Sequence, residues 1–197
     1  MQRSLQEKNT VLKVFNERPK RNFFDWCEMY NKHQIPFWVN TRIESISEDR
    51  LKALKEAGCT RLSFSIEHGN FEFRKKYLKK PFRNEEVIEK GHILAESGIP
   101  FSMDELIGIP FETRDLVFDT IELVRKIPNY DSLTVNIFTP YRGTELRDVA
   151  LKEGWLDPKI FPNGISGFSM LNMPKPYLNQ TDIDSLFRTF VLYAYFP

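Results

Sequence analysis

Five short stretches of the chain set chemically capable side chains beside residues that turn the backbone. The sharpest is Asp104-Glu105-Leu106-Ile107-Gly108-Ile109-Pro110-Phe111-Glu112-Thr113. Two acids inside an apolar strand are costly unless they meet a polar ligand or a pairing partner. Strand alternation sends one of them to each face. Gly108 then permits close approach of a ligand or of backbone, and Pro110 stiffens the turn. In Ser65-Ile66-Glu67-His68-Gly69-Asn70 a carboxylate stands beside a tight turn, an acceptor arrangement suited to the vicinal hydroxyls of a ribose. The plainer alternative has Glu67 capping the next helix and His68 exposed. Phe138-Thr139-Pro140-Tyr141-Arg142-Gly143-Thr144 offers an aromatic ring to a flat heterocycle, or is simply a rigid turn. Asn40-Thr41-Arg42 could meet an anion or close a salt bridge across loops, and Lys79 and Lys80 could contact a carboxylate or phosphate or be solvated surface.

Four of these stretches fall where a predicted strand ends, and Lys79-Lys80 follows a predicted helix. Alternating and continuous apolar runs predict strands at 37–41, 61–66, 101–107 and 133–138. Between them, apolar residues recur at helical spacing. A helix capped by Ser47 ends at Gly58, one covers 71–78, one capped by Asn84 stops at Gly98, one is capped by Thr113, and one is capped by Thr144 and ends at Gly154. Strand followed by helix, four times over, predicts parallel strands joined by crossovers, in either a barrel or a doubly wound sheet; both place ligands at the C-terminal strand ends. The first 22 residues are weakly patterned and 22–32 reads as a helix. Residues 155–180 read as a long surface excursion, and Thr181 is expected to cap a final amphipathic helix.

With 197 residues, 41% of them hydrophobic, the chain suffices for one domain. A formal charge of +1 gives no global electrostatic case for nucleic acid or an anionic membrane. No apolar run approaches the roughly 20 residues of a membrane span, so a cytoplasmic protein is expected. The two cysteines, Cys27 and Cys59, are too far apart in sequence for a clustered ligand set, and no metal ligand is assigned.

The strings FWVNTR (37–42), LKEAGC (54–59), SIEHGN (65–70), LIGIPFET (106–113) and FTPYRGTEL (138–146) resemble, in this order and spacing, the radical S-adenosylmethionine (SAM) enzymes. The likeness is to the branch that often carries an N-terminal cobalamin-binding domain, so cobalamin is compatible with it. FRTFVLYAYFP (187–197) resembles the segment that follows the barrel there. The resemblance implies an α/β fold, a partial (β/α) barrel of TIM type holding about four parallel strands, the family's third to sixth, with flanking helices and a C-terminal helix. Residues 1–154 would form this core and 155–197 the extension.

It further implies S-adenosylmethionine as cosubstrate. Glu67 and Asp104 match ribose contacts. Lys80 falls where relatives often carry an arginine for the cosubstrate carboxylate, Gly108 and Ile109 lie on the same wall, and Pro140 and Tyr141 fall where adenine packs. In such enzymes a CxxxCxxC loop holds a 4Fe–4S cluster that cleaves the cosubstrate to a 5′-deoxyadenosyl radical. Nothing before Phe37 supplies that loop. The expectation is therefore a fragment that provides the nucleoside-binding wall, inactive alone and lacking an N-terminal barrel segment. The alternative is a non-catalytic binding or scaffold module of the same descent. An unpaired edge at 37–41 is expected to make the isolated chain aggregate or seek a partner.

Overall fold

The computed structural model describes residues 10–13 and 20–196. Five strands form one sheet in the order in which they occur along the chain, β1 (Thr10–Lys13), β2 (Phe37–Thr41), β3 (Cys59–Glu67), β4 (Phe101–Ile107) and β5 (Ser132–Ile137). β1 pairs parallel to β2 with Thr10 opposite Phe37, and β2 pairs parallel to β3, with a register shift between Phe37 and Trp38. The amide of Asp131 bonds to Phe101 O and that of Phe138 to Ile107 O, so β4 and β5 also run side by side in one direction. An order that never reverses is that of a barrel wall rather than of a doubly wound sheet. The four expected strands are present. The open edge expected at Phe37–Thr41 is not: β1, from a segment too weakly patterned to be read as a strand, covers it.

The chain divides into two compact units. The first comprises residues 1–65, 89–103 and 129–132. Here α1 (Lys20–Asn31) and α2 (Glu48–Glu56) lie against one another, and Trp26 and Tyr30 set their rings edge-on to Phe37. Phe37, Val39, Leu62 and Phe64 are buried, as the alternation of β2 and β3 dictates, and Val39 and Leu62 line a small cavity with Leu51 and Leu54 of the apolar stripe of α2. Arg61 donates to Asp131 from both terminal guanidinium nitrogens, at 2.7 and 2.5 Å.

The second unit comprises residues 66–88, 104–128 and 133–197. Its core joins Ile107, Ile109, Val117, Ile121, Ile137, Trp155, Leu171, Ile183, Leu186 and Phe190. It is built by α3 (Phe71–Tyr77), the start of α4 (Asn84–Ser97), α5 (Arg114–Arg125), α6 (Glu145–Lys152) and α7 (Gln180–Tyr195). The final helix begins two residues earlier than expected: its cap is Asn179 rather than Thr181, with Asn179 and Asp182 bonding each other's backbone amides. Its buried stripe, Ile183, Leu186 and Phe190, follows the spacing that seats it on α5.

Among the capping expectations, Ser47 and Thr144 occupy their cap positions without a capping bond, whereas Thr113 accepts from the Leu116 amide. Asn84 does not cap. Its side chain donates to Gly69 O at 2.8 Å and accepts from Arg74 at 3.0 Å, because both groups are buried beside it.

Candidate functional site

All seven residues that the resemblance assigns to ligand contact lie in the second unit. Glu67 ends β3 with φ of +69°, a left-handed conformation that a residue with a Cβ adopts at a cost. Its Oε1 accepts from Lys80 Nζ at 2.6 Å, and both side chains are somewhat more than a quarter exposed. Two residues assigned to different parts of a ligand are thus each other's partners. The alternative in which Glu67 caps α3 is corrected, since Asn70 does so, accepting from the Phe73 amide at 2.9 Å.

β4 resolves its acidic pair as strand alternation requires. Asp104 is half-buried on the face shared with Ser102 and Leu106, while Glu105 is buried on the face of Met103 and Ile107. Among the described residues neither carboxyl oxygen of Glu105 has a hydrogen-bond partner. Burial drives its pKa well above the usual carboxylate range, the negative charges of Glu67 and Asp104 add to the rise, and Arg74 and Lys80 oppose it. Burial thus favours the neutral form of Glu105, and Asp104 is the polar group that β4 offers on its more exposed face.

The turn after β4 is held from below. Gly108 has φ of +79°, and a Cβ there would meet the side chain of Ile183 at 3.2 Å, so the close approach predicted at this glycine is made by α7. The side chain of Glu112, fully buried, accepts at Oε2 from the amides of Gly108 at 2.5 Å and Ile109 at 3.3 Å. Ile109 is itself fully buried in the core and presents no surface. After β5, Pro140 is buried and its carbonyl accepts from Arg147 at 2.9 Å; the same guanidinium reaches Ile160 O at 2.9 Å, tying this turn to the segment after α6. Tyr141 is 43% exposed, and Thr144 Oγ1 donates to its carbonyl. Arg42, in the first unit, pairs with its neighbour Glu44 at 2.5 Å.

Sequence reasoning missed what fixes these turns. Arg74, one of a run of cations in α3 and its flank, is wholly buried. It donates to His68 O at 2.5 Å, to Phe82 O at 2.5 Å and to Asn84, and its guanidinium lies 4.3 Å over the Phe82 ring. The spacing of Lys75, Lys76, Lys79 and Lys80 around it gave no sign of which cation turns inward. His68, expected to be exposed in the alternative reading, is likewise buried, stacked on Phe73 at 4.3 Å.

Cys27 and Cys59 are both buried, and burial pushes both thiols up to about 11. The Cys59 thiol donates to Arg61 O. Among the described residues no group of three or more His, Cys, Asp or Glu side chains could hold a metal ion, and no helix is long and apolar enough to cross a membrane.

A model of the Radical SAM superfamily matches residues 8–124, more than half of the chain, and the chain belongs to that superfamily. An uncharacterized methyltransferase of Pyrococcus horikoshii is 29% identical over 122 residues, which are 62% of this chain and 26% of the relative, so the chain spans about a quarter of that protein's length. Among solved structures, the Escherichia coli radical SAM enzyme coproporphyrinogen III oxidase superposes with a TM-score of 0.63 at 17% identity over 90% of this chain and 38% of that one. The radical SAM methyltransferase TsrM of Kitasatospora setae, solved with cobalamin and a 4Fe–4S cluster bound, gives 0.55 at 15% identity over 66% of this chain and 26% of that one. Both likenesses establish the fold as part of a TIM-type radical SAM barrel.

Proposed function

We propose that this chain is the nucleoside-positioning wall of a radical SAM enzyme, whose complete form cleaves S-adenosylmethionine reductively to a 5′-deoxyadenosyl radical. The observation that carries the reading is the outward polar set of the second unit, with Glu67 in a left-handed conformation at the end of β3 and Asp104 half-exposed on β4. Carboxylates so placed accept from ribose hydroxyls, and the Lys80 ammonium beside Glu67 can turn to an anionic ligand group. Tyr141, exposed after β5, offers a ring face to adenine. Gly108, Ile109 and Pro140 shape the wall from beneath.

The cluster would come from a barrel segment outside these residues, and on its own the chain would bind but not cleave. In this scheme β1 takes the place of the strand preceding the family's third. A cobalamin-binding companion, as in TsrM, is consistent with the same fold. The buried thiols equally favour a second reading, a binding module without redox chemistry. Titration of the chain with S-adenosylhomocysteine tests the shared core of both: micromolar binding is expected, weakened at least roughly tenfold in Glu67→Ala and in Asp104→Ala. Absence of binding would overturn the nucleoside assignment. Release of 5′-deoxyadenosine by the chain extended upstream, after anaerobic cluster reconstitution, would separate the enzyme from the module.

A further inference from the structure

Two buried polar side chains connect the turn after β3 to the turn after β4. His68 and Glu112 are both fully buried, and His68 Nε2 stands 3.2 Å from Glu112 Oε1. The contact has the distance of a hydrogen bond without its alignment, and neither atom has another hydrogen-bond partner among the described residues. Each side chain is already committed at its other end. His68 Nδ1 accepts from the Asn70 amide at 3.0 Å, which leaves the ring proton on Nε2, facing Glu112. Glu112 Oε2 accepts from the amides of Gly108 and Ile109. One ring therefore reads the backbone of the turn following Glu67, and one carboxyl reads the backbone of the turn containing Gly108.

We propose that His68 and Glu112 are a positioning pair that couples the two turns, so that the placement of Glu67 and of the Gly108 turn against a ligand depends on the His68 Nε2–H facing Glu112 Oε1. The inference rests on the nucleoside reading for its ligand but not for the coupling itself. Alignment of the misdirected contact is expected on ligand binding, as polar contacts in unliganded sites commonly tighten in the complex. Two buried groups facing each other with matched donor and acceptor leave no room for a mismatch.

The chemistry distinguishes variants of similar size. His68→Gln keeps an N–H donor near the Nε2 position, whereas His68→Asn keeps an acceptor for the Asn70 amide and loses the donor toward Glu112. Glu112→Gln can still accept from the Gly108 amide, but it turns an NH2 group toward the ring N–H, placing two donors face to face. Adding His68→Gln to Glu112→Gln lets the new amide oxygen accept, which restores a matched pair.

The experiment titrates the full chain and these four variants with S-adenosylhomocysteine, and records backbone amide shifts of Asn70, Gly108 and Ile109 together with the imidazole nitrogens. With three histidines in the chain, the His68 ring is assignable by substitution. Expected are a ring proton on Nε2, affinity within about twofold of wild type for His68→Gln, and roughly tenfold weaker binding for His68→Asn and Glu112→Gln, partly recovered in the double variant. His68→Asn should also move the Gly108 amide, and Glu112→Gln the Asn70 amide. If wild type binds and all variants bind alike, or if the ring proton sits on Nδ1, the proposal is overturned. If wild type does not bind, the nucleoside reading fails by itself, and the coupling stands or falls on whether each substitution shifts the amides of the opposite turn.

Discussion

The Gly69 amide donates to Thr120 Oγ1 across 2.8 Å, and the turn after β3 lies directly on the backbone of α5. A Cβ at Gly69 would fall 2.3 Å from Asp119 O and 2.4 Å from Thr120 Cα, both backbone atoms that cannot swing aside. Gly69→Ala is therefore expected to cost about 3 kcal/mol, an overpacking penalty at the upper end of its range. For a chain of this size that lowers Tm by about 6–12 °C. Thermal unfolding followed by circular dichroism checks it, and an unchanged Tm would show that the turn does not sit on α5.

Glu105 should make stability depend on pH. Its folded-state pKa is raised, first by burial, while in the unfolded chain it titrates near the ordinary glutamate value of about 4.3. Between those two values the folded state holds a proton that the unfolded state has released. The contribution is complete below about pH 4.3 and is lost as pH rises toward the folded pKa. Relative to Glu105→Gln, the wild type should thus lose ground as pH rises above the ordinary glutamate value, and Glu105→Leu should gain on the wild type over the same rise. Parallel Tm profiles for wild type and Glu105→Gln would contradict the assignment.

The two thiols should be kinetically silent while the chain is folded. With both pushed up to about 11, well under one per cent is thiolate at pH 8, and both are buried. Alkylation with iodoacetamide at pH 8 is expected to be at least roughly a hundredfold slower than for the chain in denaturant, and mass spectrometry gives the extent at each site. Rapid labelling of either cysteine in the folded chain would reopen its candidacy as a ligand.

Arg74 carries more structure than its surroundings suggest. Arg74→Met fills comparable space but leaves His68 O and Phe82 O without the donor that reaches them now. A loss of about 3 kcal/mol or more is expected in urea unfolding, with Lys75→Met as an exposed control within about 0.5 kcal/mol of wild type. Equal effects from the two would place Arg74 at the surface.

The strand and helix sequence of this fold is legible because its punctuation is strong. Gly58, Gly98 and Gly154 each follow a helix with positive φ, and the four apolar strands stand out between them. β1 was not legible: four residues, Thr10–Lys13, are too short to show a period, and their place is set by pairing with β2. The Asp104/Glu105 division followed from alternation alone, which fixes that the two diverge and not which one is buried. The Glu67–Lys80 pair escaped notice because it joins residues thirteen apart through the path of α3, which no local pattern encodes. His68 and Glu112 escaped for the same reason. His68 was read as exposed only in the plainer alternative and Glu112 only as part of a helix start, and it is the packing of one turn on the other that buries both.

A sheet whose every strand lies beside the one made just before it can be laid down like staves set in turn around a cask. No strand has to reach past another to find its neighbour, so each crossover closes over the intervening stretch of chain alone, a smaller entropic barrier than an interleaved strand order would impose. Such a chain should gain its strands progressively as it leaves the ribosome, with the capped helix at Gln180–Tyr195 emerging after all five and settling on α5.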